Sequence, residues 1–163
     1  MIKTIVRSTI VAALATLAAV LTFAAPAWAD APKFHSATSS VNNAGALVVN
    51  FDERGLGNDN IDYTLTADAT AVYACINGGG NHPQAANKET INAEVSAAGS
   101  FEPKNGRVVA SLSAGPPSAG SFSCPKGQRL VLASVSYTNI VLTDTSNNVT
   151  TPVPDASRIL VDV

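Results

Sequence analysis

Ile61-Asp62-Tyr63-Thr64-Leu65-Thr66 decides the fold. Apolar Ile, Tyr and Leu alternate with Asp and Thr, and a period of two puts each set on its own face of an extended strand. Thr70-Ala71-Val72-Tyr73-Ala74-Cys75-Ile76 follows as a second β-type run. Upstream, residues 34–41 form a weaker run. Asn42-Asn43-Ala44-Gly45 then reads as a turn, and residues 46–52 (ALVVNFD) as a strand with an apolar centre. Gly55 and Gly57 punctuate a loop over residues 53–60. Downstream, residues 90–97 alternate again. Lys104-Asn105-Gly106 predicts a hairpin joining residues 99–103 to 108–113, because Asn-Gly accepts positive φ at little cost. Residues 130–137 and 140–144 are further strands, Asn147-Asn148 turns the chain, and residues 157–163 close it. No stretch holds a helical period. Short strands between turn clusters predict an all-β fold, best drawn as an immunoglobulin-like two-sheet β-sandwich. A small barrel or jelly roll is the alternative.

The first 29 residues read differently. Lys3 and Arg7 precede an uncharged apolar run over residues 8–25, and Ala27-Trp28-Ala29 offers the small side chains that signal peptidase requires. The pattern predicts a signal peptide over residues 1–29, cleaved after Ala29. A single secreted, extracellular domain would then span residues 30–163. Cleavage would remove the only Met and the only Trp, so the buried Trp of true immunoglobulin domains would be missing. It would also remove Lys3 and Arg7, leaving eight basic residues against twelve acidic ones. A mildly acidic domain argues against nucleic acid as a partner. Nothing after Ala29 is apolar enough over a sufficient length to enter a membrane. Cys75 and Cys124 are the only cysteines, and in an exported chain they predict one disulfide.

Chemistry-bearing motifs are sparse. The loop over residues 77–87 is the most distinctive segment. Three consecutive glycines leave backbone N–H groups open to a ligand, and Asn77, Gly79, Asn81, His82, Gln84 and Asn87 would supply neutral donors and acceptors suited to sugar hydroxyls or peptide backbone. The glycines are not followed by the Lys-Ser/Thr of a phosphate-binding loop. Asp52, Glu53, Asp59, Asn60 and Asp62 form an acidic cluster that could offer oxygen ligands to calcium, with Asp52, Asp59 and Asp62 the leading candidates, without the spacing of an EF-hand. With two histidines and both cysteines committed to each other, zinc is disfavoured. No Gly-x-Ser-x-Gly elbow accompanies His35 or His82. Tyr63, Tyr73 and Tyr137 are the only large rings after Ala29 besides phenylalanines, and Tyr73 and Tyr137 sit in apolar runs that predict burial.

The segments Phe51-Asp52-Glu53-Arg54-Gly55-Leu56-Gly57, Cys75-Ile76-Asn77-Gly78-Gly79-Gly80-Asn81, Asn87-Lys88, Cys124-Pro125-Lys126-Gly127-Gln128 and Val135-Ser136-Tyr137-Thr138-Asn139 resemble those of small secreted, mostly bacterial, β-domain proteins of unassigned function. The resemblance implies a disulfide-closed β domain and carries no activity with it. The functional expectation is a monomeric, non-enzymatic, cofactor-free secreted protein that binds an extracellular glycan or protein. A small secreted hydrolase and a purely structural envelope protein are the alternatives.

Overall fold

The computed structural model describes residues 31–77 and 87–163, so the expected signal peptide and its cleavage site lie outside the described residues. Asn42 starts the sandwich by ending the first strand, β1 (Lys33–Val41), and turning it into β2 (Leu47–Arg54). Its side-chain Oδ1 accepts the backbone N–H groups of Ala44 (2.9 Å) and Ala46 (3.0 Å), and Gly45 takes the positive φ of 84° that closes the turn. Six more strands follow: β3 (Ile61–Asn77), β4 (Lys88–Phe101), β5 (Arg107–Ala114), β6 (Gln128–Asp144), β7 (Val149–Pro152) and β8 (Ala156–Ile159). They form two antiparallel sheets. A three-stranded sheet has the order β1-β2-β5, and a five-stranded sheet has the order β4-β3-β6-β7 with β8 also on β6. The architecture is the two-sheet β-sandwich expected from the alternation.

The core forms where the two inner rows meet. On β2 it takes Leu47, Val49 and Phe51, and on β3 Ile61, Tyr63 and Leu65. Leu112 comes from β5, and Val135, Tyr137 and Leu142 from β6. Phe51, Tyr63, Phe101 and Phe34 pack edge-on or tilted, with ring centroids 4.7–6.3 Å apart. The buried Tyr137 hydroxyl donates to the Gly45 carbonyl at 2.6 Å, which fastens the first turn to the opposite sheet. Beyond the shorter sheet, the far halves of β3 and β6 build a small second cluster, Ala74, Ile76, Val131 and Ala133, covered by Val161 and Val163 near the C-terminus. The Cys75–Cys124 disulfide, with Cα atoms 5.4 Å apart, ties β3 to the loop ahead of β6.

Three strand assignments change. The runs at 61–66 and 70–76 are one strand, as are 90–97 with 99–101 and 130–137 with 140–144. A bulge, with Asn139 at φ 51°, absorbs the irregularity between Thr66 and Asp68 without breaking β3. The loop expected over 53–60 begins two residues later, because Glu53 and Arg54 still pair with β1 and β5. The Asn105-Gly106 turn forms, and Lys104 and Arg107 exchange backbone hydrogen bonds at 2.8 and 3.2 Å, but it does not join a hairpin. β4 pairs with β3 and β5 with β2, so this turn carries the chain from one sheet to the other.

Candidate functional site

The residues that sequence reading favoured as a contact surface are only partly described. Asn77 ends β3, and Asn87 is exposed with its carbonyl accepting the Cys75 N–H at 3.1 Å. Gly79, Asn81, His82 and Gln84 lie outside the described residues. The acidic trio does not assemble. Asp52 is on β2 of the three-stranded sheet, Asp62 is exposed on β3 of the other sheet, and Asp59 is exposed in the intervening loop. Among the described residues no three His, Cys, Asp or Glu side chains are grouped to hold a metal ion.

Asp52 has a different task. On β2 the residues alternate, so Leu47, Val49, Phe51 and Glu53 face the core while Asn50, Asp52 and Arg54 face outward. Antiparallel register sets Lys33 of β1 opposite Arg54, and Arg54 opposite Arg107 of β5. Three cations therefore stand in one row across one end of this sheet. Like charges directly opposite each other destabilise a sheet, and Asp52, one step inward, relieves the strain. Its Oδ1 and Oδ2 accept Arg107 Nε and Nη2 at 2.8 and 2.9 Å, and Oδ2 accepts Arg54 Nη2 at 3.0 Å. The hydrogen bonds from Arg107 and then Arg54 hold the Asp52 carboxyl well below the usual carboxylate range, and the same pairing pushes Arg107 up. One carboxylate thus meets two of the three cations.

The arginines are not exhausted by this. Each guanidinium has five N–H donors, and the Arg54 and Arg107 side chains keep about half of their surface exposed, at 50% and 48%. Lys33 is exposed and has no carboxylate within ion-pair distance among the described residues. A surface cavity of about 580 Å³ lies beside the row, lined by Ala31, Lys33, Phe34, His35, Arg54 and Gly55. The arrangement can grip a further planar anion bidentately, as it already grips Asp52.

Directly behind the row, inside the sandwich, is a second polar cluster. Glu53 and Asp144 are fully buried and Tyr63 nearly so, and Tyr63 and Asp144 are register partners on β3 and β6. Asp144 is satisfied by Asn147, whose backbone N–H and Nδ2 donate at 2.9 and 2.7 Å. Neither carboxyl oxygen of Glu53 nor the Tyr63 hydroxyl has a hydrogen-bond partner among the described residues. Burial pushes the Glu53 carboxyl up to about 7. The nearby Tyr63 hydroxyl opposes that rise, and the Asp144 carboxylate adds to it. Burial and the two carboxyls also push the Tyr63 hydroxyl upward. Because all three side chains are buried, this cluster bears on stability rather than on a surface ligand.

Neither cluster was singled out from the sequence. The cationic row joins residues 33, 54 and 107, which only strand register brings together. Glu53 carried a readable signal, since it continues the inward parity of Leu47, Val49 and Phe51. No protein-family model, curated protein or solved structure matches the chain.

Proposed function

We propose that this chain is a secreted, non-enzymatic binding domain, and that the outer face of the β1-β2-β5 sheet takes a carboxylate-bearing extracellular glycan at the Lys33–Arg54–Arg107 row. The carrying observation is that row of three cations in register, two of which share the Asp52 carboxylate while Lys33 has none among the described residues. The disulfide is consistent with an oxidising compartment, and no described helix is long and apolar enough to cross a membrane. Toward the middle of the sheet the outward positions are Thr38, Asn50 and Ser111, in register with one another, which offer hydroxyl and amide groups to sugar hydroxyls.

Retention on immobilised polygalacturonate, against neutral dextran, tests this. The oxidised protein should be retarded on the carboxylated matrix only, and salt should release it, because exposed charge interactions are screened within about 10 Å at 0.1 M. Lys33→Gln and Arg54→Gln should each reduce retention, while Lys126→Gln, at an exposed residue of the loop before β6, should not. Equal retention of all three variants would remove the row from the account.

A further inference from the structure

The two open sides of the sandwich are treated unequally. On one side β1 faces β7 and β8. There the Ser39 hydroxyl donates to the Pro154 carbonyl, and Arg158 Nη1 donates to the Val41 carbonyl at 3.0 Å. β7 and β8 are four residues each, with Pro152 ending β7 and Pro154 between the two. These are ordinary ways of blunting an edge. On the other side β4 is fourteen residues long, contains no proline, and pairs with β3 without a single register shift. It has no second strand partner among the described residues. β5, the adjacent edge of the other sheet, is only eight residues and runs into Gly115-Pro116-Pro117.

The core is also incomplete along β4. Its inward row of Ile91, Ala93, Val95, Ala97, Gly99 and Phe101 is only half-buried, whereas the corresponding row of β3 is buried from Ile61 to Ala71. A strand added beside β4 would complete that row while satisfying its free backbone groups. The added strand must carry small apolar residues on one face and polar residues on the other. β4 has that pattern itself.

We propose that β4 pairs antiparallel with β4 of a second copy of this chain, in the register that sets Val95 opposite Val95. Inward rows coincide only if paired residue numbers have even sums, so few registers are available. Centring on Val95 engages residues 89–101, nearly the whole strand. It sets Ala93 opposite Ala97, Ile91 opposite Gly99, Thr90 opposite Ser100 and Glu94 opposite Ser96. Lys88 then faces Glu102 just beyond the strand, a complementary pair repeated by the two-fold axis. Moving the centre one residue earlier sets Glu94 against Glu94, and like charges directly opposite are destabilising. The dimer would join the two five-stranded sheets edge to edge. The proposed dimer departs from the monomer expected from sequence.

Sedimentation equilibrium of the oxidised protein from micromolar to millimolar concentration tests the proposal, with two variants at exposed Ser96. Ser96→Lys would face Glu94 of the second copy twice and should tighten the dimer by ~3–30-fold. Ser96→Glu would meet the same residue with like charge and should loosen it by a similar factor. Both should melt with the parent protein at low concentration, since Ser96 is on the solvent face. A parent protein and a Ser96→Lys variant that both stay monomeric throughout would overturn the proposal. So would a dimer whose affinity shifts in the same direction, or not at all, in the two variants.

Discussion

Replacing Glu53 with Gln should abolish most of the fall in stability that the parent protein shows between pH 5 and pH 8. Glu53 is fully buried, its two carboxyl oxygens have no hydrogen-bond partner among the described residues, and burial raises its pKa from 4.5 to about 7. The folded state therefore holds this proton more tightly than the unfolded chain does. The stability from the neutral carboxyl is fully present below pH 4.5, is lost progressively as pH rises towards 7, and is absent above it. One pKa unit is worth about 1.4 kcal/mol, which sets a ceiling of about 3 kcal/mol, and water reaching the ionised carboxylate lowers the loss to ~1–3 kcal/mol. In a domain of this size that corresponds to a melting temperature ~3–10 °C lower at pH 8 than at pH 5. Asp52 acts in the opposite sense. Its carboxyl is held low by two arginines, so its contribution is present above the unfolded value of 3.8 and is lost as pH falls below it. Stability should peak between these limits, near pH 4–5. Differential scanning calorimetry at half-unit pH steps reads this directly. The Gln variant should match the parent near pH 4.5 and melt higher than it at pH 8. Parallel profiles for the two proteins, or a parent melting temperature that rises from pH 5 to pH 8, would refute the assignment of the slope to Glu53.

Other perturbations should act through packing and constraint. Replacing Cys75 and Cys124 together with Ala opens a loop with a sequence separation of 49 and should cost about 4 kcal/mol on the chain-entropy model, measured by urea unfolding. Leu65→Ala removes a fully buried side chain between the sheets and should lower stability by ~2–5 kcal/mol in the same assay. Gly45→Ala forces a side chain into a φ of 84° and against Leu132, and should destabilise by at least ~1 kcal/mol, seen as an earlier melt. Tyr137→Phe leaves the Gly45 carbonyl without its 2.6 Å donor and should cost ~1–3 kcal/mol.

What the sequence displayed depended on contrast. The alternation from Ile61 to Leu65 was plain because apolar side chains there alternate with Asp and Thr, and the cysteine pair was plain because no third thiol competes. The continuity of β3 across Ala67-Asp68-Ala69 was obscure because alanine marks a buried position only faintly, although both alanines are core residues. Asn105-Gly106 announced its turn but not its destination. Turn chemistry is local, whereas the pairing of β5 with β2 rests on contacts far apart in the chain. Glu53 was legible in principle, since two more residues of strand would have placed it inward beside Phe51. The cationic row was not, because Lys33, Arg54 and Arg107 meet only through the register of three strands. Reading Asp52 as a calcium ligand failed to anticipate that two arginines already occupy its oxygens.

The most direct test of the binding account is a titration of the ¹⁵N-labelled oxidised protein with galacturonate oligomers, followed by backbone amide shifts. The account predicts that the largest perturbations fall on the residues around Lys33, Arg54 and Arg107 and saturate with ligand. Perturbations confined to the loop over residues 77–87, or none at oligomer concentrations of several millimolar, would contradict it.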